Sequence, residues 1–154
     1  MMILEFRIDT DNNALEEKLK EREFNPGVDV TWFMFPTKII ADGKNLLAHG
    51  TTEQDQWRET PLLATVDVFR RTVEELKSHS KVEHAVLEYW TMEFERIDDN
   101  VRITSQGYGS ATIPRVEFES AVHSFIKQAR EFLIANAPFM QHHPDWSTWF
   151  GGIK

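Results

Sequence analysis

The chain contains no cysteine. That absence alone excludes disulfides and thiolate metal sites. It also lacks any apolar run approaching the roughly 20 residues that a membrane-spanning helix needs. The segment Met1 to Glu17 is mixed and acidic, without the basic stretch and apolar core of a secretory signal. A cytoplasmic protein with no membrane partner is therefore expected. Positive charge is in short supply, because 17 Lys and Arg face 25 Asp and Glu, for a net charge of −8. Such a surface repels phosphate backbones, which argues against nucleic acid. It suits a basic protein partner, although acidity also serves plain solubility. No internal repeat, low-complexity tract or linker divides the 154 residues. A single domain over 1–154 is expected, with an aromatic C-terminal tail at 139–154.

Aromatic residues, by contrast, are plentiful: 11 Phe and 5 Trp supply a core and rule against disorder. Their spacing gives the elements. From Met2 to Ile8, Leu4, Phe6 and Ile8 alternate with Glu5 and Arg7, the mark of a half-buried strand. Asp9 to Phe24 is densely charged and fits either a short exposed helix or a solvated loop. Val28 to Ile40 is apolar on both faces and reads as a central strand, with a bulge or local edge at Pro36. Asp42-Gly43 is a two-residue hairpin signal that pairs Ile39 with Leu46. Thr51 to Glu59 reads as a polar loop, and Thr60-Pro61 as a capping hydroxyl with proline at the first helical position.

Leu62, Val66, Phe69, Val73 and Leu76 recur at helical spacing, and that helix should end near Ser78 to Ser80. Glu83 to Asp98 reads as one long strand followed by Val101 to Ser105. A turn at Asp99-Asn100 would pair Phe94 with Ser105 and keep the apolar residues on one face. Gly107 to Ser110 reads as a flexible turn. Phe118, Val122, Phe125, Ala129 and Phe132 then mark a second amphipathic helix ending near Pro138. The order β-ββ-α-ββ-α predicts an α+β two-layer sandwich, in which two helices cover an antiparallel sheet of about five strands. The aromatic tail either packs back on the core or marks a binding surface.

Residues arranged for chemistry are sparse. No Gly-x-Ser-x-Gly elbow occurs, and no spacing ties the serines to the histidines. His142-His143 with Asp145 lacks a third metal ligand at a recognisable interval. Gly107-Tyr108-Gly109 starts like a dinucleotide fingerprint, but Thr112 stands at the third glycine. No catalytic residue, cofactor or metal is therefore assigned. Glu93 and Glu95 are two apart on a strand, their side chains about 6.5–7 Å apart by strand rise. In a cleft they would make an acid/base pair, the basis of an alternative reading as a small-ligand-binding or hydrolytic domain. An ordinary solvent face is the plain alternative. Joined with Glu88, Asp98 and Asp99, they make an acidic patch suited to a basic partner such as a nuclease site. Trp57, Trp146 and Trp149 fall outside the periodic pattern and fit interface anchors or core lids equally.

Several segments together resemble a known family. They are Val30-Thr31-Trp32-Phe33 running into Asp42-Gly43-Lys44-Asn45-Leu46-Leu47, the Val66 to Leu76 helix, and Glu93-Phe94-Glu95-Arg96 with Val101-Arg102-Ile103. The helix of Phe118, Val122, Phe125 and Phe132 completes the pattern, which covers roughly residues 28 to 135. It is similar to bacterial immunity proteins of toxin–immunity loci, including contact-dependent growth inhibition. The resemblance implies a cytoplasmic, non-enzymatic binder of one cognate toxin domain, which it would neutralise by occluding the active site or substrate surface. The expected contact residues are Glu88, Glu93, Glu95, Asp98, Asp99, Trp57, Trp146 and Trp149.

Overall fold

The computed structural model describes residues 1–7, 34–87 and 90–152. Four strands come first: β1 Met2–Phe6, β2 Met34–Ala41, β3 Lys44–Asn45 and β4 Arg58–Pro61. Helix α1 spans Leu62–Glu75. Strands β5 Lys81–Leu87, β6 Trp90–Ile97, β7 Asn100–Ser105 and β8 Gly109–Pro114 follow, then α2 Arg115–Asn136 and a short α3 Trp146–Phe150. The α+β class holds, and every strand pairing among the described residues is antiparallel. Strands β1 to β4 form one sheet with β2 in the middle, and β5 to β8 form a second as a simple meander.

Among the described residues the sheets carry eight strands where about five were expected. The segment Glu83 to Asp98 is two strands, not one, because the chain reverses between Leu87 and Trp90. No Gly, Pro or Asn marks that reversal, so the apolar alternation runs straight through it. Arg58 and Glu59, expected in a loop, join Thr60 and Pro61 as β4 against β2. Strand β8 opens with Gly109-Ser110, weak strand formers that ladder pairing to β7 holds extended.

Thr60 is therefore a strand residue and not a helix cap. Pro61 occupies the N-cap position without a side-chain bond. The Thr60 hydroxyl is instead buried, 2.7 Å from that of Thr37 on β2. Thr37 donates on to the Phe35 carbonyl at 3.1 Å, while Thr65 donates to the Pro61 carbonyl at 2.8 Å. These hydroxyls let polar groups sit in the seam between β2, β4 and α1 without orphaned donors. Helix α1 stops at Glu75, a turn earlier than Ser78 to Ser80. Arg96 from β6 reaches its end and donates to the Leu76 carbonyl at 2.6 Å. A cation on those unpaired carbonyls stabilises the terminus.

Asp42 and Gly43 form the expected hairpin, with φ of 50° and 75°. Both positive φ values suit a turn whose twist matches the strands. Leu46 N–H donates to the Ile39 carbonyl at 2.8 Å, as that register requires. At the second hairpin the turn is Asp98-Asp99, not Asp99-Asn100. Ile97 pairs with Asn100 and Phe94 with Ile103, two residues away from the expected Ser105. The face of each side chain is unchanged, because strand periodicity is two. Asp98, at φ 53°, accepts the left-handed backbone there.

Strand β2 is central as expected, but only one face is fully buried, through Phe35, Thr37, Ile39 and Ala41. Met34, Pro36, Lys38 and Ile40 on the other face are half-buried. Pro36 accepts from Arg7 N–H at 2.8 Å where β1 ends and pairs with Glu59 of β4 in an unbroken register, so it is neither a bulge nor an edge. The expectations for Asp9 to Phe24 and for Val28 to Phe33 lie outside the described residues.

Both amphipathic helices bury the residues that the spacing picks out, except that Val73 is half-buried and the buried Leu76 falls just past the end of α1. Helix α2 has 22 residues, about 33 Å at 1.5 Å per residue, and bridges the two sheets. Its Phe125 and Phe132 meet Phe6 and Phe35 of the first sheet, while Phe118 meets Phe94 of the second and Phe69 of α1. The tail folds back on this core: Met140, Trp149 and Phe150 are buried. No helix among the described residues is long and apolar enough to cross a membrane.

Candidate functional site

The meander β5 to β8 separates its faces cleanly. Val82, Val86, Trp90, Met92, Phe94, Val101, Ile103, Ala111 and Ile113 are buried on the helix side. The opposite face follows from the ladder register. One row across the four strands reads Lys81, Glu95, Arg102, Thr112. The next reads Glu83, Glu93, Thr104, Ser110.

The two rows differ in electrostatics. In the first, Glu95 lies between two cations and hydrogen-bonds Arg102. In the second, Glu83 and Glu93 stand directly opposite one another. Like charges at that spacing repel and destabilise the pair of strands. The nearest offset is diagonal, Lys81 Nζ at 3.5 Å from Glu93. Asp98 and Asp99 are exposed in the turn that joins β6 to β7. The face thus carries Glu83, Glu93, Glu95, Asp98 and Asp99 against Lys81 and Arg102. Glu83 was not singled out from the sequence. Its signal was the β5–β6 reversal, which had no turn residues to reveal it. Glu88 lies outside the described residues.

The tryptophans are not brought to this face. Trp57 is half-buried beside the first sheet, with the Arg7 guanidinium 4.6 Å and Lys38 Nζ 4.7 Å from its ring centroid. Its Nε1–H donates to Glu53 at 3.3 Å. Trp149 is only 6% exposed and packs on His143 and Phe150 as part of the core. Trp146 is half-buried, 4.5 Å from the Phe150 ring.

Among the described residues, two sizeable grooves border the helices. One, about 490 Å³, lies between β1 and α2. The other, about 550 Å³, lies between α1, α2 and α3 over Val73, Val122, Ile126 and Trp149. Glu93 and Glu95 line neither. Among the described residues no group of three His, Asp or Glu side chains could hold a metal ion.

One buried titratable group lies elsewhere. His84 of β5 faces α1, its Nε2 3.4 Å from a Glu75 carboxylate oxygen and its side chain 10% exposed. Burial, and then the Arg71 guanidinium, hold its pKa below the usual histidine value, with Glu75 and Asp67 opposing.

Comparison with known proteins gives no match: no family model fits the sequence, and no curated protein or solved structure is significantly similar.

Proposed function

We propose that this chain is a protein-binding domain that works as an immunity protein, covering a basic surface of a cognate toxin domain with the outer face of β5 to β8. The opposed Glu83 and Glu93 pair carries the reading. Folding gains nothing from two carboxylates placed face to face on an open sheet. A basic partner would relieve their repulsion and gain attraction from both, which favours fast and selective encounter. The polar outer face of this four-stranded sheet also suits a protein surface better than a small molecule, which prefers concave sites. In this reading the protein acts in the bacterial cytoplasm, without catalysis, and the toxin is a nuclease or another enzyme with a cationic substrate surface. The alternative of Glu93 and Glu95 as an acid/base pair draws no support from the two grooves, which both lie elsewhere.

The test is co-expression with the toxin domain encoded beside its gene, followed by co-purification and a growth assay. The expected result is a stable complex and protection from toxicity. Glu83→Lys with Glu93→Lys should weaken the complex at least about tenfold, mainly through slower association at low salt. A complex of unchanged affinity would move the interface to another face, and no complex at all would end the immunity reading.

A further inference from the structure

The edge of the first sheet has its own chemistry. Among the described residues β1 pairs only with β2. Asp42 N–H donates to the Met1 carbonyl and Arg7 N–H to the Pro36 carbonyl. The register between these bonds is continuous, so the odd-numbered residues of β1 direct their backbone groups at β2. The N–H and C=O groups of Met2, Leu4 and Phe6 therefore point the other way, and Met2 and Leu4 line the groove of about 490 Å³ beside α2. Across it α2 presents Ser120, Ala121 and Ser124, which leave room for a chain to lie alongside the strand. Met1 and Val116 are the large apolar side chains that stand exposed among the described residues, at 78% and 72%. Both border this groove. Among the described residues, the charged side chains lining it are Glu5 and Glu117, both acidic. Their present partners, Lys38 Nζ at 3.8 Å from Glu5 and the Met1 amino group at 3.0 Å from Glu117, are solvent-exposed or loose pairs. Such pairs exchange at little cost.

We propose that the β1–α2 groove takes an extended segment of a partner protein by strand addition, one that alternates apolar and basic residues. The backbone of Met2 and Leu4 would supply ladder hydrogen bonds. The partner's apolar side chains would cover Val116, and its cations would meet Glu5 and Glu117. This surface is separate from the outer face of β5 to β8 and does not rest on the toxin reading.

The test titrates the isotope-labelled chain with an acetylated Lys-Val-Lys-Val-Lys-Val amide and follows its amide resonances by NMR. Saturable shifts are expected at Met2, Leu4 and Phe6 and along Ser120 to Gln128, with none on β7. Ser124→Arg, an exposed position whose change leaves the fold intact by circular dichroism, should weaken binding at least about tenfold. A Glu-Val-Glu-Val-Glu-Val control should bind measurably worse. Equal binding of the acidic peptide, an absence of shifts at β1, or no effect of Ser124→Arg would each overturn the proposal. So would concentration-dependent shifts at the same amides without peptide, which would identify a second copy of the chain as the occupant.

Discussion

The two sheets solve the same packing problem in different ways. In the β5 to β8 meander, neighbours in sequence are neighbours in space, and β6, β7 and β8 alternate between a buried, mainly apolar face and a polar one. The β1 to β4 sheet is assembled from separated segments. Its outer face mixes Ile3, Met34, Pro36 and Ile40 with Arg7, Lys38 and Trp57, most of them half-buried. A face relieved of packing duty is free to carry charge that folding does not require. The like-charged pair Glu83 and Glu93 sits on the meander, where it costs stability without disturbing a core.

This contrast is bridged by α2, whose Phe118 serves one aromatic cluster and whose Phe125 and Phe132 serve the other. Truncating Phe94 to Ala in the meander should cost about 3–5 kcal/mol, and Phe35→Ala in the other sheet a similar amount. Both variants should shift one shared unfolding transition in urea, read by circular dichroism and tryptophan fluorescence together. Two separated transitions would mean that the sheets are independent, and that α2 does not couple them.

Arg96 gives a smaller test on the meander side. Arg96→Ala removes the guanidinium from the Leu76 carbonyl at the end of α1, and should cost about 2 kcal/mol in urea unfolding. A loss near zero would show that solvent satisfies that helix end as well.

His84 separates the halves by pH. Its folded pKa lies below the ordinary histidine value of 6.5. The unfolded chain therefore binds a proton first as pH falls through about 6.5, and stability decreases below that point. The slope from one proton is at most about 1.4 kcal/mol per pH unit. Above about pH 6.5 this group contributes full stability. Urea midpoints at pH 8 and pH 5.5 should differ less in His84→Asn than in the parent chain. An equal difference would assign the acid sensitivity to other groups.

The two halves also differed in how openly the sequence displayed them. Both long helices, the Asp42-Gly43 hairpin and the buried face of β6 followed from periodicity and turn chemistry, because helical spacing and left-handed turn residues act locally. Strands β4 and β8 were hidden, since Arg58-Glu59 and Gly109-Ser110 have no strand preference of their own and are extended only by tertiary pairing. The reversal before Trp90 lacked any turn residue, and that concealed Glu83 as the partner of Glu93. Glu93, Glu95, Asp98 and Asp99 were visible as one acidic stretch. That Arg102 pairs with Glu95 while Lys81 reaches diagonally to Glu93 needed the register, which a shift of two residues in the Asp98-Asp99 turn had displaced. Trp149 illustrates the opposite limit, because a five-residue terminal helix has too little periodicity to announce which of its aromatics is buried.

The central claim is that Glu83 and Glu93 are placed for a basic partner at a cost to the fold. Glu93→Gln measures both sides at once: stability by urea unfolding, and affinity for the cognate toxin domain by calorimetry. The predicted result is a gain of about 0.2–1 kcal/mol in stability together with weaker binding. A stability loss with unchanged affinity would contradict the claim and make the pair a structural feature of the sheet.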